Sequence, residues 1–410
     1  RIGKVTTDLI VKQDPKVTVK YDGKITAEQF DIGKFLKAEE YMGNMNITAL
    51  IDGQGLDSET ILVRLNGMVN SMTLLDNNFN QIEVKGEFAE KKFSGNMNVV
   101  DEFIQMNFDG NINFAPPLPI FDFSANIKNA KLYDLHLSSR AIDMDLTTKL
   151  RCNFIGSQLD DIEGRIYIDS TKYLENGKFY SMDHLALITL RDSGLSKRIL
   201  MHSDFLDANV RGEFLFDEIG DAIVKLADRY LSVDLIGLNV NSNKLDQQFI
   251  EFELDLFNTD PLSELFLPNL KIQKDTEIKG SYSGIDDSLY FELRSPQIEY
   301  QGIKFKNFGL LANTYAKYFG LSVSSQRAIF QETPDGDTML FGIDSLVLNS
   351  KIRHDSLKFQ LLWNDKSLAD NNVGDISGYV ALVDSGYRIA KITKADVTVN
   401  DSSWTVNPNN

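Results

Sequence analysis

The chain contains one cysteine, four histidines and nine prolines in 410 residues. Cys152 alone cannot close an internal disulfide, and His136, His184, His202 and His354 are too scattered to build a His-rich metal centre. Positive charge is scarce as well, with 42 Lys+Arg against 59 Asp+Glu and a formal net charge of -17. Phosphate backbones are held by clustered cations, so this balance argues against a nucleic-acid partner. No run of 18 apolar residues and no signal peptide occurs, and the mean hydropathy of -0.21 excludes a helical membrane protein. Hydrophobic residues at 42% and aromatics at 10% equally exclude a disordered chain. The sequence opens on Arg1, and alternation begins at Val5, Leu9 and Val11, as expected of a piece of a longer protein. Any targeting segment or membrane anchor is then expected outside it.

What is present is period-2 alternation from end to end. Val17, Val19 and Tyr21 alternate with polar residues, as do Ile104, Met106 and Phe108, then Phe121, Phe123, Ala125 and Ile127. Ile142, Met144 and Leu146 follow, and Ile166 and Ile168 repeat the spacing. Ile250, Phe252, Leu254 and Leu256 interleave with Glu251, Glu253 and Asp255, and Leu289, Phe291 and Leu293 and then Leu357, Phe359 and Leu361 continue the pattern. Side chains in a strand point alternately to opposite faces, so each such strand has one apolar and one wet face. Asp22-Gly23, Asp52-Gly53, Asn176-Gly177 and Asp335-Gly336 read as hairpin turns, and Asp109-Gly110 ends another run. At about 12 to 14 residues per strand and turn, roughly 28 to 32 strands are expected, far more than a typical sheet holds.

Helical signals are few. The spacing predicts short helices over 31–38, 218–231 and 260–266, the second with an apolar stripe at Ile219, Ala222, Ile223, Leu226 and Tyr230. Asp260 with Pro261 is read as the N-cap and first position of the third. These helices are expected to plug or cap the sheet. At a constant offset of 226, Val63, Leu65, Met72, Leu74, Phe79, Ile82 and Val84 match Leu289, Phe291, Ile298, Tyr300, Phe305, Phe308 and Leu310. Approximate repeat units at 30–215, 216–330 and 331–410 within one continuous segment, 1–410, follow from this.

Catalytic signals are weak. Asp192-Ser193-Gly194 and Asp384-Ser385-Gly386 have the Asp-Ser-Gly order of the paired carboxylates of aspartic proteases. Arg191 and Leu195 flank the first and Tyr387 follows the second, so the small hydroxyl residue expected after Gly is missing; both read as turns. Asp143 and Asp145 read as solvated sheet surface, and Asp160-Asp161 and Asp286-Asp287 as turns. With no nucleophile elbow, P-loop, HExxH or paired CxxC, no catalytic residue, metal or cofactor is expected. Helices are too few to cover so large a sheet. Its apolar face must therefore be buried by curling, by lipid or by a partner.

Several stretches resemble one family. Residues 109–114 (DGNINF) with 121–132 (FDFSANIKNAKL), 162–169 (IEGRIYID) with Asn176-Gly177-Lys178 and Leu185-Ala186-Leu187, and 203–214 (SDFLDANVRGEF) before the helix ending at Tyr230-Leu231 carry the resemblance. So do 30–36 (FDIGKFL) and Asp52-Gly53-Gln54-Gly55. Together they resemble a core stretch of the TamB family of AsmA-like translocation and assembly module proteins, in its Bacteroidota branch. The resemblance implies an all-β fold, a long curled antiparallel sheet forming a taco-shaped β-groove. It further implies a periplasmic bridge, anchored in the inner membrane and engaging an outer-membrane β-barrel partner through regions outside this segment. Such a bridge would conduct phospholipid acyl chains between the membranes. The alternative is a chaperone-like scaffold assisting outer-membrane barrel assembly by strand addition. The expected groove lining is Val17, Val19, Ile104, Met106, Phe108, Phe121, Phe123, Ile142, Met144, Ile166, Ile168, Ile250, Phe252, Leu254, Leu289, Phe291, Phe359 and Leu361.

Overall fold

In the computed structural model, the described residues are 3–12, 19–55, 61–74, 77–191, 196–230, 248–315, 318–332, 339–353, 356–365, 372–382, 388–399 and 401–405. They contain twenty-four strands and three short helices, and the strands belong to one antiparallel sheet, so the protein is all-β. The chain divides into two units, 1–189 and 190–410, with the division inside a strand.

The first unit is a meander. In chain order it holds β1 (Lys4–Lys12), β2 (Lys20–Asp31), α1 (Ile32–Leu36), β3 (Met42–Gln54), β4 (Leu62–Leu74) and β5 (Asn77–Ala89). Then come β6 (Lys92–Val100), β7 (Ile104–Asn113), β8 (Ile120–Ala130), β9 (Asp145–Ile155), β10 (Glu163–Glu175) and β11 (Lys178–Arg191). Each strand pairs antiparallel with the next. The second unit continues with β12 (Lys197–Ser203), β13 (Leu206–Glu213), α2 (Ile219–Tyr230), β14 (Phe249–Leu256), α3 (Asp260–Phe266), β15 (Leu270–Ile272), β16 (Thr276–Ser283) and β17 (Ser288–Tyr300). It ends with β18 (Ile303–Tyr315), β19 (Tyr318–Glu332), β20 (Met339–Arg353), β21 (Ser356–Asp365), β22 (Asn372–Leu382), β23 (Arg388–Val399) and β24 (Ser402–Thr405). Among the described residues, β14 pairs with β16, while short β15 lies against the far end of β17, which departs from a simple meander. Strands run longer than expected, to 15 residues in β19 and β20.

All three expected helices form. Asp31 caps α1, its carboxylate accepting from the Lys34 amide at 3.0 Å. For α3 the cap moves one residue upstream to Thr259, which makes no side-chain cap bond; its hydroxyl instead donates to the Ile272 carbonyl at 2.8 Å. Of the predicted α2 stripe, Ala222 and Leu226 are buried with Tyr282, and Ile219 and Tyr230 pack there beside Ile250 and Leu289, while the Ile223 side chain lies outside the described residues.

Two Asx-Gly pairs expected as turns lie inside strands, Asp22-Gly23 in β2 and Asp52-Gly53 in β3, and Asp109-Gly110, expected to end a run, lies inside β7. Only Asn176-Gly177 is a turn among the described residues, since Asp335-Gly336 falls outside them. The reason is close backbone approach. A Cβ on Gly110, at φ 149°, would stand 2.4 Å from the Asp122 carbonyl oxygen and from the Phe123 Cα. Gly86, Gly95 and Gly110 sit side by side on β5, β6 and β7, so three neighbouring strands press together there.

Bulges supply the bending. In β5 Gln81 takes φ 53°, in β10 Ser170 takes 53° and in β2 Gln29 takes 47°, each near a skipped pairing. A bulge bends its strand and increases local twist. These three lie toward the same edge of unit 1, the edge carrying α1 and the loop 131–144. The 226-residue repeat reproduces the device: Val69↔Ile82 and Met72↔Phe79 become Ser295↔Phe308 and Ile298↔Phe305, and Gln81 becomes Asn307 at φ 46°.

Loop 131–144 is pinned to the β10–β11 turn. Asp143 accepts from the Asn176 and Gly177 amides at 2.8 and 2.7 Å rather than lying on a solvated strand face as expected. Those two backbone hydrogen bonds hold its carboxyl below its ordinary range. A depressed carboxylate contributes stability above its unfolded pKa, and that contribution is lost as pH falls through the folded value. Hydrogen exchange at Asn176 and Gly177, corrected for intrinsic rates, should therefore accelerate below about pH 4, and Asp143→Asn should show the acceleration already at pH 7.

Gly95→Val should lower stability by about 1–3 kcal/mol in urea unfolding, because its Cβ would meet the Lys85 carbonyl oxygen at 2.3 Å. Gly220→Ala, with open space around it in α2, should instead raise stability by about 0.4–1 kcal/mol.

Candidate functional site

Register converts alternation into rows that run across the strands. In unit 1 one row reads Leu9, Gly23, Ile51, Leu65, Gly86, Gly95, Gly110, Phe123, Cys152, Ile166 and Leu187, one position from each of β1 to β11. The adjacent row reads Ile25, Ala49, Gly67, Val84, Met97, Phe108, Ala125, Leu150, Ile168 and Leu185. The first contains no polar side chain, and the second meets one only where Ile25 pairs with Thr7 of β1. At about 4.8 Å per strand, the eleven-membered row spans roughly 48 Å.

Unit 2 holds an equivalent row: Met201, Ala208, Leu254, Ile278, Leu293, Leu310, Val323, Leu348, Leu361, Ile376 and Ala395. All but Ala395 are half-buried. The neighbouring row includes Phe252, Gly280, Phe291, Ala312, Leu321, Ser350, Phe359 and Gly378. The Phe252 ring lies across Gly280 toward Phe291, with centroids 6.3 Å apart. One row further out, α2 covers Ile250, Tyr282 and Leu289.

The opposite face is wet and carries cross-strand pairs such as Arg64–Glu87, Arg151–Asp169, Lys279–Glu253 and Lys394–Asp375. In unit 1 it forms an open hollow of about 1000 Å³ lined by Asn66, Asn96, Asn98, Asn107, Asn126 and charged neighbours. Its polar groups bond to each other, Asn107 donating to Asn98 at 2.8 Å, and exposed pairs of this kind contribute little energy.

The apolar face of unit 1 encloses a smaller cavity of about 430 Å³. Leu9, Ile25, Ile51, Leu65, Met72 and Phe93 are among its walls, which come from β1 to β7 and α1, so the sheet curls around it. Its size suits one small apolar ligand. Lys91 is the one charged residue among its described lining.

The expected lining residues distribute as follows. Val17 lies outside the described residues, and Val19 precedes β2. Ile104 and Met106 pack in the unit 1 core. Phe108, Phe123 and Phe121 form a run of rings, with Phe108–Phe123 at 5.1 Å and Phe121 stacked on Phe154 at 4.8 Å. Phe123, Ile166, Phe108 and Ile168 fall in the two unit 1 rows, and Phe252, Phe291, Phe359, Leu254 and Leu361 in the two of unit 2. Ile250 and Leu289 are covered by α2. Two placements differ from the expectation. Ile142 is 78% exposed in a turn, and Met144 is 1% exposed just before β9, because that strand starts only at Asp145.

None of the expected residues lines the 430 Å³ cavity. Its Val63, Leu65, Met72, Leu74, Ile82 and Val84 had drawn notice only as members of the 226-residue repeat, and that repeat was the signal that could have found them. Both Asp-Ser-Gly triplets lie outside the described residues. Among the described residues, no cluster of His, Cys, Asp and Glu is arranged to hold a metal, and no helix is long and apolar enough to cross a membrane. Comparison of the chain with family models, curated proteins and solved structures gives no match.

Cys152 reports on this face directly. Burial pushes its thiol up to about 11, because the thiolate loses water in an apolar row. Its reaction with a soluble maleimide at pH 8 should therefore be slower than that of the urea-unfolded chain by about a hundredfold. Equal rates in the two states would show that the row is open to water.

Proposed function

We propose that this segment holds lipid acyl chains along its apolar rows and conducts phospholipid between membranes as part of a periplasmic bridge. The observation that carries the proposal is the eleven-membered row from Met201 to Ala395, unbroken by a polar residue and mostly half-buried. A plain core would bury such side chains fully; half-burial leaves one side available to a ligand. Exposing two acyl chains to water costs about 0.8 kcal/mol per CH2, more than roughly 20 kcal/mol for about 30 carbons. An apolar row removes most of that barrier and needs no energy source within the segment. One leaflet's chains occupy about 15 Å, half of the hydrocarbon core, so each row exceeds a single lipid in length. The resemblance to the TamB family supports the periplasmic setting, the inner-membrane anchor and the outer-membrane barrel partner of the whole protein.

The alternative reading, a scaffold that adds barrel strands to a sheet edge, draws support from β1. This nine-residue strand is almost fully exposed and among the described residues pairs only with β2.

Photocrosslinkers at Phe123 and Phe252 should capture phospholipid; capture of nascent barrel strands alone would favour the scaffold. Phe252→Asp should reduce lipid retained on the purified chain by about tenfold or more, since an unpaired carboxylate is costly in an apolar row. Circular dichroism should show the sheet intact. Global unfolding of that variant would instead indicate a closed core.

A further inference from the structure

Two opposite edges of the unit 1 sheet meet at one point. Tyr41 stands just before Met42, the first residue of β3. Phe114 follows β7 at the edge where β3 ends, since Gln54 pairs with Leu62, Leu62 with Ala89, Ala89 with Lys92 and Lys92 with Asn113. A flat strand of thirteen residues such as β3 would hold those edges roughly 40 Å apart. The centroids of the half-buried Tyr41 and Phe114 rings are only 5.8 Å apart, so the curl carries one edge over to the other. Each ring is anchored from behind. The Tyr41 amide donates to the carbonyl of buried Ala38 at 3.0 Å, in the turn after α1. The Phe114 amide donates to the Lys91 carbonyl at 3.1 Å, and its ring meets Phe121 edge-on at 6.3 Å.

Met42, next to Tyr41, and Phe114 both line the 430 Å³ cavity, so the ring contact lies at its margin. Apart from the Tyr21 hydroxyl and Lys91, the described walls of that cavity are hydrocarbon or thioether. Ligand pockets run from about 300 to 1,000 Å³, which puts this one near the small end, sized for one chain rather than for two chains and a head group. We infer that unit 1 binds a single fatty-acyl chain in this cavity, and that the Tyr41–Phe114 contact is the strap that parts to admit it. The inference rests on the acyl-chain reading above and gives the unit 1 cavity a one-chain occupant and a point of entry. An aromatic pair suits the task, since it holds two edges together yet opens without breaking a buried polar contact.

The test uses palmitic acid with a photoactivatable diazirine at its far end, offered to the purified 410-residue chain, with labelled residues mapped by mass spectrometry. Tyr41→Cys and Phe114→Cys are introduced together with Cys152→Ala. A short bis-maleimide then locks the two thiols, and a monofunctional maleimide caps them without linking. The wild-type and capped chains should be labelled at cavity residues such as Leu65 and Met72. The locked chain should be labelled there about tenfold more slowly or less. Phe114→Ala should instead speed labelling by about threefold to tenfold, the worth of one aromatic pair. Equal rates in locked and capped chains would overturn the strap, as would failure of the bis-maleimide to join the thiols in a chain whose circular dichroism matches wild type. Labelling confined to residues outside unit 1 would overturn the whole inference and leave the acyl-chain reading standing. Absence of label from the wild-type chain would overturn both.

Discussion

Register is the constraint on which the rest depends. A slip of one residue between any two strands would turn every apolar side chain of the later strand toward water and break each row it crosses. Yet the sheet must also curl, and curling requires bulges, which add a residue and reverse the alternation locally. At two hairpins the structure reconciles the two by placing paired interruptions opposite each other. Across Gln81 and Asn70 the pairing passes from Met72↔Phe79 and Ser71↔Asn80 to Val69↔Ile82, so both strands shift together and the apolar face is kept. The same happens at Pro296 and Asn307, where a proline without an amide proton loses nothing by sitting unpaired.

Glycine serves the same end on the floor of unit 1. Gly86, Gly95 and Gly110 occupy apolar-face positions where the alternation calls for large side chains. Omitting those side chains lets the backbones close in, and the rings of Phe93, Phe108 and Phe123 pack over the gap with centroids 6.4 and 5.1 Å apart. Curvature and apolar continuity are thus obtained together, at the cost of the conformational entropy that glycine loses on folding.

Much of this was legible in the sequence, and the remainder has physical reasons. Alternation disclosed the faces, and with them Phe108, Phe252 and Leu361, since burial of one face leaves a period of two. Register is a relation between strands and leaves no mark within one, so the rows could not be read in advance. Asp-Gly misled because the glycine freedom that suits a hairpin also suits close strand approach, as at Gly23 and Gly110. Ile142 misled because three alternating apolar residues do not distinguish a strand from a turn leading into one. The bulges did leave a trace: Phe79 to Ile82, Ile25 to Ala27 to Phe30, and Ile168 to Thr171 each contain a step of three in a run of twos.

The row arrangement also separates length from cross-section. Each strand paired in the meander adds one position to the rows it crosses, and each such hairpin adds two, about 10 Å of length. The width of the apolar face is set within single strands, by where the bulge falls and where the alternation ends. Copying a hairpin with its interruption, as the β4–β5 and β17–β18 pair exemplifies, lengthens the rows without altering the width of the apolar face. The length of the apolar face can thus change by whole hairpins while the pattern within each strand stays the same.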